Sequence, residues 1–323
     1  MKTTKLTSIL LALCFFFTPI VIYPWGFLGH KTINEIAVYT LPDSMFGFYK
    51  MHLNYIVSSA VNADKRRYVV ENEAPRHFLD ADHYENEVPL DTLPHTWKDA
   101  VAKYGQDSLL KYGIVPWHVI LVKYQLTEAF KAHDYKAILR LSADLGHYVG
   151  DLHVPLHATG NYNGQKTNQH GIHGLWESRL PELFQSDYNY FVGKARYVDN
   201  VTHEVWMRFE QSYAAVDSVL SFELQATEHT SETKKYTFED RGRQVVQTYS
   251  THFCEEYHNM LNGMVEARLR ASIEFVGSLW FTAWVDAGQP HLRLDWRIGD
   301  DLERIGLDSA YQHQKIKGRM EAK

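Results

Sequence analysis

Apolar residues recur three and four positions apart through most of the chain. In GHKTINEIAVYTL (29–41) they stand at Ile33, Ile36, Ala37 and Leu41, the spacing of one helix face. Pro42 and Asp43 end that run and restart the chain. PWHVILVKYQLTEAFKA (116–132) opens on proline, which a first helical turn tolerates because its missing N–H would have no partner there. DYKAILRLSADLGHYVGD (134–151) follows, with Asp134 a predicted N-cap. Two longer periodic stretches, 201–226 and 242–288, predict long helices towards the C-terminus. Within the second, Trp280, Trp284 and Asp286 read as packing and capping residues. Strand signals are scarce, and no glycine-rich phosphate loop or internal repeat stands out. Residues 158–172, ATGNYNGQKTNQHGI, read as a loop. The pattern predicts an all-α fold, a single multi-helix domain over residues 25–290, followed by a polar C-terminal tail over 291–323.

The N-terminus departs from this pattern. Lys2 and Lys5 precede an apolar run from Ile9 to Ile22, interrupted by Thr18 and Pro19. A basic start, an apolar middle and a break describe a secretory signal, so residues 1–24 are expected to be removed and the mature protein to be secreted or periplasmic. Cys14 would leave with that segment, and Cys254 would remain as a single thiol without an intrachain disulfide. Loss of Lys2 and Lys5 takes the formal charge from −6 to −8. With no long basic run, composition gives no sign of electrostatic capture of duplex DNA. No other stretch has the continuous apolar length of a membrane span.

The chain carries 18 histidines, dispersed rather than in a tag. Three of them and an aspartate fall within HYVGDLHVPLH (147–157). His147 and Asp151 are four apart and share a helix face; Pro155 stops the helix, and His157 lies just past the stop. Imidazole and carboxylate together suit zinc, and a buried hydrogen-bonded His–Asp pair is the alternative. HGIHGLWESRL (170–180) repeats the spacing at His173 and Glu177; His170 competes with His173, and the helical spacing favours His173. Upstream lie Trp25 and His30 in WGFLGH, Asp64 in NADKRRY, and His77, Asp80, Asp82 and His83 in APRHFLDADHY.

In this order the pieces resemble the zinc-dependent phospholipase C and single-strand-specific nuclease superfamily. Its members begin at a mature N-terminal Trp in WGxxGH, then show an Asp, a His-aromatic step, HxxxD with a nearby PLH, and HxxxW[DE]. Here these are Trp25 and His30, Asp64, His77-Phe78, His147 to Asp151 with PLH ending at His157, and HGLWE from His173 to Glu177. The resemblance spans roughly residues 25–180 and implies an all-α fold with three zinc ions. Asp64, His77, His147 and Asp151 would hold one. His157, His173 and Glu177 would hold a second. The Trp25 amine and carbonyl, His30 and the other oxygen of Asp151 would hold the third. His153 is outside the family's ligand set, and Asp80, Asp82 and His83 read as supporting or loop-ordering groups.

The implied chemistry is phosphodiester hydrolysis of nuclease or phospholipase C type. Clustered zinc lowers the pKa of bound water from about 16 towards about 7 and clamps phosphate oxygens. Asp64 is expected to orient or deprotonate the attacking water. The departures divide the branches. The Trp25-to-His30 step matches nucleases, whereas Glu177 and the short His157-to-His173 step match phospholipases, and Ser178 stands where nucleases usually carry Asn. Substrate is therefore single-stranded nucleic acid or phospholipid, with no stable protein partner implied and a monomer expected. Phe78, Tyr84 and Tyr162 are candidates to stack a base or line a lipid groove, against ordinary core packing in a chain that is 14% aromatic. The contrasting reading is a catalytically silent zinc-holding structural protein or a cell-surface binding module.

Overall fold

A computed structural model describes residues 26–85, 90–241 and 244–298. The leader, Trp25 and the tail from 299 onwards lie outside the described residues. The principal helices are α1 (Gly26–Val38), α2 (Leu53–Ser59), α3 (Val115–Lys131), α4 (Tyr135–Leu152), α5 (Val201–Ala214), α6 (Val216–His229) and α7 (Met264–Asp286). The expectations at 29–41, 116–132 and 134–151 correspond to α1, α3 and α4. Asp134 caps α4 as its side chain accepts from the Ala137 amide at 3.0 Å. The predicted helix over 201–226 is two helices, broken between Ala214 and Val216.

Helix α4 lies at the centre, packed by α1, α2, α3 and α7. Every residue from Leu141 to Leu152 is buried in consequence, including His147 and Asp151. Small residues permit this crowding. Gly146 sits so near α1 that a Cβ there would fall 1.8 Å from Asn34 Oδ1, and one at Gly150 would fall 3.0 Å from His30 Nδ1. Asn34 cannot swing aside cheaply, because its Nδ2 donates to Ala143 O at 3.1 Å and it is fully buried. We expect Gly146→Ala to destabilise the protein by about 1–3 kcal/mol, overpacking outweighing alanine's better helix propensity. Chemical denaturation measures this, and an unchanged midpoint would mean that Asn34 is free to move.

Helix α7 completes the core. Trp280 is fully buried and donates Nε1 to Ser142 O at 3.1 Å; Trp284 donates to Pro290 O at 2.9 Å. Asp286 accepts from the buried Lys123 ammonium and from Tyr197 Oη. Residues 291–298, the start of the predicted tail, pack back on the domain: Leu292 is buried, and the Trp296 ring lies 5.4 Å from those of His52 and Tyr135.

The expected helix at 242–288 is corrected at its start, and it is broken again between Met260 and Met264. Tyr236–Arg241 (β1) and Gln244–Tyr249 (β2) form an antiparallel hairpin pairing Tyr236 with Tyr249 and Arg241 with Gln244. Helix resumes only at Thr251, capped by Ser250, whose side chain accepts from the Phe253 amide. Cys254 in that helix is buried, which pushes its thiol up to about 12 and leaves it unreactive at neutral pH. No helix among the described residues is long and apolar enough to cross a membrane.

Candidate metal centre

All the donor residues named from the sequence, except the undescribed Trp25, fall into three compact groups: His30, His147 and Asp151; Asp64, His77 and His147; and His157, His173 and Glu177. Their chain origins differ. Helix α1 brings His30; the short helix Asn62–Arg66 brings Asp64; a 3₁₀ turn at Ala74–His77 brings His77; the last turn of α4 brings His147 and Asp151. A second 3₁₀ turn, Pro155–Ala158, brings His157, as Pro155 predicted. The two turns are tied together: Leu79 N donates to His157 O at 2.9 Å, and His157 Nδ1 donates to His77 O at 2.5 Å. His173 and Glu177 are one turn apart, but the turn between them is π-helical at Leu175–Arg179, a local irregularity frequent at functional sites.

Asp151 joins the groups. Its Oδ2 lies 2.8 Å from His77 Nδ1 and 3.2 Å from His147 Nε2; its Oδ1 lies 3.5 Å from His30 Nε2 and 3.6 Å from His157 Nδ1. Asp64 Oδ1 stands 3.8 Å from His77 Nδ1 and 3.7 Å from His147 Nε2. At the third group His157 Nε2 and His173 Nε2 are 3.2 Å apart, and Glu177 Oε1 is 2.9 Å from His173 Nε2. The rings are set from behind. His147 Nδ1 donates to Ala60 O at 2.8 Å and His173 Nδ1 to Tyr162 O at 3.1 Å, which turns each Nε2 towards the cluster.

Residues present fit a metal cluster on one direct observation. Both oxygens of Asp64, both of Glu177, Asp151 Oδ1 and both nitrogens of His30 are buried without a hydrogen-bond partner. Buried polar atoms are normally satisfied, so this many unpartnered in one place form a site that could hold cations. The nitrogen and carboxylate-oxygen donor set is that of a divalent transition metal.

The electrostatics of the metal-free cluster agree. Burial, reinforced by the neighbouring His147, holds His30 neutral; burial also keeps His77 neutral despite Asp151. Burial opposes a charge on His147, but Asp151 and Asp64 outweigh it and raise the imidazole to about 9. Burial lifts Asp64 to about 7 against the pull of His147, with Asp151 adding to the rise. Against burial, His147 and His157 keep Asp151 ionised, and His173 does the same for Glu177.

Sequence reasoning missed the support behind His77. Glu73 is fully buried one turn before it, with Oε1 3.9 Å from His77 Nε2. Tyr148 Oη donates to Glu73, Arg76 pairs with it at 2.6 Å, and Arg66 reaches it at 3.4 Å and Asp144 at 3.0 Å. The i,i+4 spacing of Glu73 and His77 was the available signal. Asp82 orders the 158–172 loop by accepting from Gly160 N at 2.7 Å and pairing with Lys166 at 3.1 Å. His83 stacks on Tyr112, and His153 is a buried neutral ring that donates to Val149 O. Of the aromatic candidates, Phe78 and Tyr84 are buried, while the half-buried Tyr162 ring lies 5.9 Å from His173.

This helical frame and its histidine–carboxylate centre define a class that comparison identifies. The sequence profile of the S1/P1 nuclease family matches residues 25–272, and the chain belongs to that family. Nuclease S1 of Aspergillus oryzae (strain ATCC 42149 / RIB 40) is 26% identical over 200 residues, 57% of this chain and 63% of that protein. Among solved structures, the alpha toxin from Clostridium absonum superposes with a TM-score of 0.47 at 11% identity, over 79% of this chain and 63% of that one. The match to each of these relatives thus spans less than two thirds of the relative's length.

Proposed function

We propose that the protein is a zinc-dependent phosphodiesterase acting on single-stranded nucleic acid. The observation that carries this reading is the convergence of three donor groups about one carboxylate, Asp151, inside the segment matched by the nuclease family. Asp64, His77, His147 and Asp151 would hold one zinc, His157, His173 and Glu177 another, and His30 with Asp151 and the Trp25 terminus a third. When bound, zinc supplies the Lewis acidity that makes hydroxide available near neutral pH and offsets charge on a phosphate.

The chain's own residues do the rest. Asp64 has two oxygens without partners, so in this reading one would face a zinc and the other would orient the attacking water. Asp151 holds the groups in register through both oxygens. The Ala60, His77 and Tyr162 carbonyls lock the tautomers of His147, His157 and His173, so no ring has to reorient as substrate binds. Removal of the leader and export from the cytoplasm belong to the same reading, supported by a family match that begins at Trp25.

The experiment is elemental analysis and N-terminal sequencing of the protein from its native host, with assays on single-stranded DNA, RNA and phosphatidylcholine. We expect zinc at each of the three donor groups, Trp25 as the first residue, and cleavage of single strands that a chelator abolishes and zinc restores. Zinc retained with no phosphodiester turned over would instead mark a silent zinc-holding protein. Absence of metal would return the cluster to a structural core, and turnover of lipid alone would move the protein to the phospholipase branch.

A further inference from the structure

We propose that Glu73 is a positioning residue for one metal ligand: its buried carboxylate accepts the N–H on the side of the His77 ring that faces away from the donor groups. The proposal rests on the metal-holding part of the reading above and adds what sets one ligand from behind. His77 is turned differently from its neighbours. His147 and His173 direct Nδ1 at a backbone carbonyl and Nε2 at the cluster. In His77 it is Nδ1 that meets the cluster, 2.8 Å from Asp151 Oδ2 and 3.1 Å from His147 Nε2. Its Nε2 is buried without a hydrogen-bond partner, and the group facing it is Glu73 Oε1 at 3.9 Å.

The ring's proton accounts for that gap. A carboxylate only accepts, so across the 2.8 Å to Asp151 the proton sits on His77 Nδ1. Nε2 of that tautomer offers a lone pair to Glu73, which also only accepts, and the two stand apart. A ligating Nδ1 cannot keep its proton, so on ligation the proton passes to Nε2 with no net gain or loss by the ring. There it meets Glu73 Oε1, and a contact between two acceptors becomes a charge-assisted hydrogen bond.

The surroundings of Glu73 aim it at the group formed by Asp64, His77 and His147. It is fully buried and precedes the 3₁₀ turn that ends at His77. Its Oε2 pairs with Arg76, the residue before His77, at 2.6 Å. Its Oε1 accepts from Tyr148, the residue after His147, and lies 3.4 Å from Arg66, two residues after Asp64. Each ligand of the group is thus joined to one carboxylate through a near neighbour in the chain. A carboxylate has about four acceptor sites, so Oε1 can take His77 beside Tyr148. The Tyr148 ring also stands edge-on to His77 and His147, at 5.4 and 5.5 Å, which keeps its hydroxyl over Glu73. His157 and His173 are backed by the carbonyls of His77 and Tyr162 instead.

The test compares zinc-loaded wild type with Glu73→Gln, which keeps the shape and removes the charge, and Tyr148→Phe, which removes the hydroxyl that orients Oε1. Zinc retained against a graded chelator is counted by elemental analysis. The tautomer and metal contact of each histidine are read by long-range proton–nitrogen NMR correlation. Neither readout needs turnover. In the wild type His77 is expected to ligate through Nδ1 and carry a proton on Nε2. In Glu73→Gln the zinc held with Asp64 is expected to bind roughly 10- to 100-fold less tightly, while that at His157 and His173 is unchanged. Tyr148→Phe should weaken the same zinc by less. His77 bound through Nε2 overturns the proposal, as does wild-type zinc retention in Glu73→Gln. Equal weakening at every site also overturns it and would make Glu73 part of the general scaffold. If Glu73→Gln does not fold, Tyr148→Phe decides, and unchanged retention there overturns the proposal. A wild type that binds no zinc overturns the metal reading itself, and the role of Glu73 with it. The expected tautomer and zinc losses without phosphodiester cleavage would support Glu73 and remove only the phosphodiesterase reading.

Discussion

An Asp151→Asn variant is expected to lose most of its metal and all measurable phosphodiesterase activity. Asp151 lies against a member of each donor group: His77 and His147 through Oδ2, at 2.8 and 3.2 Å, and His30 and His157 through Oδ1, at 3.5 and 3.6 Å. The amide keeps the shape of the carboxylate but removes its charge and replaces one oxygen by a donor that cannot ligate. Loss of an outer partner of a metal ligand costs roughly 10- to 100-fold in affinity, and loss of a shared ligand should exceed that. Because the side chain is fully buried and nearly isosteric, circular dichroism should still report a folded helical protein. Elemental analysis beside the activity assay decides the matter. A variant with full zinc and full rate would sink the assignment.

Metal removal is expected to lower the melting temperature, and to do so more as pH rises from about 6.5 to about 9. In the metal-free cluster His147 is an imidazolium raised to about 9 by Asp151 and Asp64 against its burial. A folded-state pKa above the unfolded value near 6.5 contributes stability that is fully present below 6.5 and lost as pH rises through 9. His157 is shifted in the same direction by Asp151 and Glu177, again against burial. Asp64, raised to about 7 by burial, costs stability as it ionises, so it adds to the loss in the lower part of the same window and levels off above it. His30 and His77 are neutral when folded and about half protonated at pH 6.5 when unfolded, so they oppose the loss only weakly and only at the start of the window. The metal-free protein should thus lose on the order of a few kcal/mol across the window.

The loaded protein should behave in the opposite sense. A ligating imidazole must be neutral, so metal expels the His147 proton, and its apparent affinity rises up to about tenfold per pH unit per proton displaced. Scanning calorimetry with and without chelator, at matched ionic strength, reads both trends. A metal-free melting temperature that stays level or climbs between pH 6.5 and 9 would show that His147 carries no charge there.

The donor pairs were legible because their geometry is local. His147 with Asp151, and His173 with Glu177, are each four residues apart, so any helical turn puts them side by side whatever surrounds it. Pro155, Asp134 and the apolar spacing of α1, α3 and α4 act over equally short distances, and those elements stand where they were expected. Other features depended on residues far apart in the chain. His30 reaches Asp151 only because Gly146 and Gly150 let α1 approach α4, a condition set by absent Cβ atoms on one helix and by Asn34 on another. Glu73 lies four residues before His77, but its role depends on Tyr148 and Arg66 closing around it.

The hairpin shows the same limit. Val245 and Val246 merged into a helical periodicity, and what holds the strands against the domain is Arg179 pairing with Glu239 and Arg241 with Glu182, contacts that no local window contains. Residue types and short-range spacing thus specified a mainly helical chain, its two histidine–carboxylate pairs and the chemistry such pairs suit, whereas His30, Asp64 and His77 entered as donors only through the family resemblance. Packing alone decided that the donors share one buried volume, that their oxygens lack hydrogen-bond partners, and that a cavity opens beside Glu177, because each depends on how closely separate helices approach.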